Sequence, residues 1–264
     1  MDAYLSRINY DGEVQVTPEV LMGLHRSHVE SISFENLDVI LGRGISLDSK
    51  KLQEKLVRRQ RGGYCYEQNS LFAAALERIG FKVSGLVGRN LLNGGPVLPA
   101  THALLMVNVD GSLWLADTGF GMTGPLYPVA MDGFVDDQHS PPFKVCDAGT
   151  GDGARTLRSL GPLGWRTLYS FALNTVYPVD FTVMNHYSST HQDSRFRRHL
   201  IAQRASASTR RSLRDTTYVI QNRGADVLTR EISPGDAPRI LAEDFKISIT
   251  GEEAEKIIAK LACG

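Results

Sequence analysis

Arg61-Gly62-Gly63-Tyr64-Cys65-Tyr66-Glu67-Gln68-Asn69 runs directly into Ser70-Leu71-Phe72-Ala73-Ala74-Ala75-Leu76-Glu77-Arg78-Ile79-Gly80. The paired glycines allow a close backbone approach that side chains would resist. Beyond Cys65 the apolar residues Leu71/Phe72, Ala75/Leu76 and Ile79 recur at helical spacing, and Gly80 supplies the stop. Cys65 therefore belongs at or just before the first turn of a buried helix. Unpaired backbone N–H groups and the positive end of the helix dipole there favour a negatively charged sulfur. The dipole contributes only about 0.3–1 kcal/mol at an exposed site, whereas one pKa unit is about 1.4 kcal/mol. A potent sulfur nucleophile needs a cationic partner as well.

The candidate partner lies in Thr101-His102-Ala103-Leu104-Leu105-Met106-Val107-Asn108-Val109, which Asp110-Gly111 joins to Ser112-Leu113-Trp114-Leu115-Ala116-Asp117-Thr118-Gly119-Phe120-Gly121. Two apolar runs around Asp-Gly predict a β-hairpin. With Asp110 and Gly111 as the turn, Val109 faces Ser112, and counting back sets Leu104 opposite Asp117. His102 and Asp117 then share a sheet face as diagonal neighbours, about 7–8 Å apart at the backbone. A carboxylate so placed holds the imidazole's tautomer while the other ring nitrogen meets the thiol. The shared face depends on parity, which a one-residue bulge would reverse.

These residues resemble the arylamine N-acetyltransferase family. The family's Arg-Gly-Gly-x-Cys-x-Glu-x-Asn motif stands at Arg61 to Asn69, its Thr-His pair at Thr101-His102, and its Asp-x-Gly-Phe-Gly motif at Asp117 to Gly121. Leu24-His25-Arg26-Ser27-His28 leading to Phe34-Glu35-Asn36-Leu37-Asp38 is similar to its N-terminal signature. Tyr187-Ser188-Ser189-Thr190-His191 is similar to the start of its last domain. Departures from the pattern are Ser33 at a usual proline, Thr118 at a common valine, His186 at an often aromatic position and Gln192 at a frequent proline.

The chain has 264 residues, 42% hydrophobic and 22% charged, enough apolar material for a substantial core. Its formal net charge of zero gives no global pull toward nucleic acid or membrane. Cys65, Cys146 and Cys263 form no Cys-x-x-Cys pair, which argues against a disulfide framework or zinc site and suits a reducing compartment. The first residues lack the apolar stretch of a secretory signal and no run is long enough to span a bilayer, so the expected location is cytoplasmic.

The first third reads helical. Thr17-Pro18-Glu19 opens a helix that presents Leu21, Leu24 and His28 on one face. His25 and His28, without a third ligand, read as packing or hydrogen-bonding residues rather than metal ligands. A second helix is expected after Leu47-Asp48, with Leu52 and Leu56 inward, lysines outward, and a solvated basic end at Arg58, Arg59 and Arg61. Strand-like runs follow at Phe81–Val87, His102–Val109, Leu113–Ala116 and Trp165–Leu173. Turns are expected at Asn93-Gly94-Gly95-Pro96 and over Gly149–Gly153. No G-x-G-x-x-G sits between strand and helix, so a dinucleotide-binding fold fails and a small antiparallel sheet or barrel fits. The last third is locally basic at Arg195, Arg197, Arg198, His199, Arg210 and Arg211, read either as a solvated face or as contacts to the acyl donor's phosphates. Tyr218–Gln221 and Val227–Arg230 read as a hairpin, and Thr250-Gly251-Glu252-Glu253 as a capping box opening a final helix.

The resemblance implies an α+β architecture with a cysteine-protease-like core. By the same resemblance, residues 1–82 are expected to form a helical bundle carrying the nucleophile, 83–180 an antiparallel β-barrel carrying the histidine and aspartate, and 181–264 an α/β lid. It implies acetyl transfer from acetyl-CoA to an arylamine, arylhydrazine or N-hydroxyarylamine, in two steps through acetyl-Cys65, with His102 and Asp117 completing the triad and no metal. By resemblance, Phe34, Gly119 and Phe120 wall the acceptor pocket, and Thr101, Gly121 and Tyr187 contact the acyl donor. The alternatives are an amide synthase acting on a carrier-bound polyketide, a thiol protease or transglutaminase, and a non-catalytic binding module. The expected partners are small molecules, with the chain a monomer or homodimer.

Overall fold

The computed structural model describes residues 1–92, 97–135 and 142–263, so the expected turn at 93–96 lies outside the described residues. Among the described residues the helices are α1 (Asp2–Arg7), α2 (Pro18–Ser31), α3 (Leu37–Ile40), α4 (Ser49–Leu52), α5 (Cys65–Ile79), α6 (Pro178–Thr190), α7 (Arg195–Arg198), α8 (Ala237–Glu243) and α9 (Gly251–Ala262). The strands are β1 (Phe34–Glu35), β2 (Lys82–Asn90), β3 (His102–Val109), β4 (Ser112–Ala116), β5 (Val129–Ala130), β6 (Phe134–Val135), β7 (Phe143–Asp147), β8 (Arg155–Gly161), β9 (Gly164–Phe171), β10 (Ile201–Ala205), β11 (Thr209–Arg214), β12 (Thr217–Asn222) and β13 (Val227–Glu231).

Two antiparallel sheets organise the chain. Eight strands in the order β5-β4-β3-β2-β9-β8-β7-β6 curl until β5 nears β6 and β7, giving the barrel-like body expected of the α+β class. The second sheet, β1-β10-β11-β12-β13, is mostly C-terminal, but its edge β1 comes from the N-terminal third, with Phe34 opposite Gln203. β3 is buried on both faces, as its near-continuous apolar run requires. Leu105, Val107 and Val109 pack with Leu71, Phe72 and Leu76 of α5, while Leu104 faces the barrel core with Leu86, Leu157 and Tyr169. The period-2 alternation of one strand thus fixes the nucleophile helix against the barrel wall.

Several local readings hold. The Thr17 hydroxyl accepts the Val20 N–H at 3.3 Å, and Gly80 ends α5 at φ +115°. Thr250 and Glu253 exchange hydrogen bonds of 3.3 and 2.8 Å at the start of α9, and β12 pairs with β13.

The second helix differs from its expectation. α4 passes into a π-helical turn over Gln53–Arg58, which keeps Leu52 and Leu56 buried but turns Lys55 inward. Lys55 Nζ lies 2.8 Å from Asp38 and 2.7 Å from Glu67. Nor is Arg61 a solvated helix end: it is 2% exposed and bonded to Glu35 at 2.9 Å, Glu253 at 3.1 Å and Asp38 at 3.4 Å. A buried cation without partners would cost several kcal/mol. Here carboxylates from β1, α3 and α9 meet it, and the loop before Cys65 is tied to the final helix.

Candidate active site

Cys65 is the first residue of α5. Tyr64 precedes the helix in extended conformation, and its N–H donates to Glu67 Oε2 at 3.1 Å, closing the entry turn. A Cβ on Gly62 would stand 2.2 Å from the Ser33 carbonyl oxygen, so only glycine lets this loop pass against the N-terminal segment. On the other side, a Cβ on Gly119 would come 2.6 Å from the Cys65 Cα. The loop after β4 therefore abuts the nucleophile's own backbone.

The hairpin keeps the register expected of it. Asp110 and Gly111 turn at φ +50° and +88°, Val109 pairs with Ser112 and Leu105 with Ala116, without a bulge. His102 and Asp117 consequently emerge on one face, and His102 Nε2 donates to Asp117 Oδ2 at 2.6 Å. Nδ1 is left for the thiol.

Asp117 is 1% exposed and fastened from every side. Its Oδ1 accepts from Asn69 Nδ2 and from the Gly119 N–H, each at 3.1 Å. Asn69 also donates to the Ala103 carbonyl at 2.7 Å and accepts from the Thr118 N–H and hydroxyl at 3.0 and 3.1 Å. The Asp117 N–H donates to His25 Nε2 at 3.0 Å, while His25 Nδ1 donates to the Leu126 carbonyl at 2.9 Å. Burial by itself would depress the pKa of His102. The charge and hydrogen bond of Asp117, then those of Cys65, outweigh it and raise the value to about 10. Burial likewise opposes ionisation of Asp117, but His102, Asn69 and the Gly119 amide hold its pKa below the usual carboxylate value.

Cys65 and His102 open onto a cleft that Phe34, Gly119, Phe120, Thr101 and Tyr187 also border. Gly121 is not on this border: it takes φ +88° beneath Gln203, whose Oε1 accepts the Met122 N–H at 3.2 Å. The cleft also gathers Phe196 and Arg195, and the buried ring of Tyr169 lies 5.1 Å from that of His102 and 4.9 Å from that of Phe120. Sequence reasoning gave no site role to Asn69, His25, Tyr169 or Phe196. Asn69, as the last residue of the cysteine motif, and His25, inside the N-terminal signature, carry a signal in the sequence.

His25 and His28 are fully buried. His28 accepts from the Tyr4 hydroxyl at 2.8 Å and donates to Gln68 Oε1 at 2.7 Å. Among the described residues no group of three His, Cys, Asp or Glu side chains is placed to hold a metal. Burial lowers the two histidines to about 4 and about 3. Because these folded values lie below the unfolded 6.5, stability is full above pH 6.5 and falls as the pH drops toward 4. At pH 5 each histidine costs about 2 kcal/mol. Urea melts between pH 7 and pH 5 should show a combined loss of about 4 kcal/mol from this pair, most of it absent in a His25→Gln, His28→Gln double variant.

A family model described as N-acetyltransferase matches residues 17–254. The chain belongs to the arylamine N-acetyltransferase family. The Escherichia coli arylamine N-acetyltransferase is 37% identical over 205 residues, 76% of this chain and 71% of that protein. The crystal structure of the Nocardia farcinica arylamine N-acetyltransferase superposes with a TM-score of 0.92 at 36% identity, covering 99% of this chain and 94% of that one. The Mycobacterium marinum arylamine N-acetyltransferase in complex with CoA matches with a TM-score of 0.91 at 31% identity, covering 98% and 97%. Within this arylamine N-acetyltransferase fold, no helix of the described residues is long and apolar enough to cross a membrane.

Proposed function

We propose that the chain transfers an acetyl group from acetyl-CoA to an aromatic amine or hydrazine by a two-step exchange through acetyl-Cys65. The observation that carries the reading is His102, bonded to buried Asp117 and left with one nitrogen for Cys65, at the base of an aromatic-walled cleft.

In the first step the Cys65 proton passes to His102, which the neighbouring carboxylate makes a strong acceptor. Sγ attacks the thioester carbonyl and the bond to the CoA sulfur breaks. His102 returns the proton to the departing CoA sulfur, leaving acetyl-Cys65. The first-turn amides of α5 have no acceptor within their own helix, and we assign them to the oxyanion. In the second step the amine nitrogen attacks the acetyl carbonyl, His102 takes its proton, and the proton passes to Sγ as the amide departs. Phe34, Phe120 and Phe196 give an aromatic acceptor apolar faces to bury against. All these residues come from one chain, and three free cysteines suit the cytoplasm.

Intact mass after mixing with acetyl-CoA alone tests the reading. A gain of one acetyl group on Cys65 is expected, discharged on adding an aromatic amine with one equivalent of amide formed. A protein that stays unmodified while acetyl-CoA is intact would remove the proposal.

A further inference from the structure

Arg195 brings to the cleft a positive charge that pairs with no carboxylate among the described residues. It is the first residue of α7 and lines the same cavity as Cys65, Phe34 and Phe120, exposed to solvent, its guanidinium 4.8 Å from the centroid of the Phe196 ring. Among the described residues it forms no ion pair: the carboxylate beside it on the cleft, Asp193, is engaged by Arg198 at 2.6 Å. The ionisable groups whose charges reach it are Cys65 and Arg214, a thiol and another cation. Arginine presents a planar fork of donors that matches a carboxylate. A cation held against an aromatic wall within electrostatic reach of the reacting sulfur has the wrong place for the phosphates of CoA, which the long pantetheine arm keeps away from the thioester.

We propose that Arg195 receives a carboxylate carried on the ring of the acceptor, so that the cleft prefers anionic aromatic amines to neutral ones of the same shape. This rests on the reading of the site as an aromatic-amine acetyltransferase. The ring lies among the phenylalanines, the amine points to acetyl-Cys65, and the far substituent meets the guanidinium. From sequence alone this arginine fits either a solvated face or a phosphate contact. Its place on the cleft that Cys65 also lines assigns it to the acceptor.

The test compares 4-aminobenzoate with 4-aminobenzamide in the wild type, Arg195→Gln and Arg195→Lys. The ratio of their kcat/KM values should fall about tenfold in Arg195→Gln, the size of one charge-assisted contact at a solvent-accessible site. Arg195→Lys should recover part of that ratio, and in the wild type the preference should shrink as salt is added. Calorimetry with 4-acetamidobenzoate and 4-acetamidobenzamide reads the same discrimination without turnover, so it still reports on Arg195 if no acetyl-enzyme forms. An unchanged ratio in Arg195→Gln overturns the proposal. So does a loss confined to acetyl-Cys65 formation from acetyl-CoA, which would make Arg195 an acyl-donor residue.

Discussion

Cys65→Ser should leave the chain folded and end acetyl-enzyme formation. The substitution exchanges one heavy atom at a site 3% exposed, where Sγ donates a long hydrogen bond of 3.9 Å to the Thr101 carbonyl and faces His102, contacts that a hydroxyl can also make. No strong hydrogen bond is lost, and the α5 packing through Leu71, Phe72 and Leu76 is untouched. Near-isosteric core changes usually cost less than about 1.5 kcal/mol. The chemistry is another matter. A hydroxyl is a far weaker nucleophile near neutrality than a thiol, which ionises much more readily. His102 remains, but the cleft is built to take a proton from sulfur. Turnover should fall on the order of 10⁴-fold or more, as in enzymes stripped of their nucleophile. Intact mass should show no acetyl adduct, while thermal melting stays within a few degrees of the wild type. Appreciable turnover in the variant removes Cys65 from the nucleophile's place.

The hairpin and the nucleophile helix were legible because each rests on local chemistry. Asp110-Gly111 demands a two-residue turn, and two-residue turns fix register, so the parity that unites His102 with Asp117 follows from counting. Cys65 sits where helix formers begin after glycines. What escaped the reading is non-local. Arg61 looked like a surface residue because its partners Glu35 and Glu253 lie 26 and 192 positions away along the chain. Lys55 turned inward for the same reason, and the π-helical turn that redirects it has no sequence signature comparable to a proline or a cap. His25 reaches Asp117 across 92 positions, and from periodicity it is merely one more residue of α2. β7 and β8 do not stand out, because Lys144, Asp147, Arg155, Arg158 and Ser159 leave them few apolar positions. Arg195 and Phe196 belong to a locally basic stretch, and the packing of the Phe196 ring against Phe34 of β1 and Tyr64 just before α5 brings them to the cleft.

Asp117→Asn is the second large effect, and its size follows from the donors around the carboxylate. Oδ1 accepts from Asn69 Nδ2 and the Gly119 N–H, while Oδ2 accepts from His102 Nε2. An asparagine has one oxygen for these two sides. Two fixed donors face the Oδ1 position, so the amide oxygen settles there and the amide nitrogen turns to His102. That NH₂ group donates, and Nε2 must then accept. The imidazole proton moves to Nδ1, on the side of Cys65, where a lone pair is required. The wrong tautomer is thereby selected with the geometry nearly intact, and kcat should fall by about 10³–10⁴, as for the same exchange in other triads. The pH behaviour changes in a defined direction. In the wild type His102 has its pKa raised to about 10, so its ion pair with Asp117 contributes stability that is full below the unfolded 6.5 and is lost as pH rises through about 10. The amide carries no charge, so urea melts of the variant should lose this dependence between pH 7 and pH 10. A fall in kcat smaller than about tenfold, with the alkaline dependence of stability preserved, would show that another group orients His102.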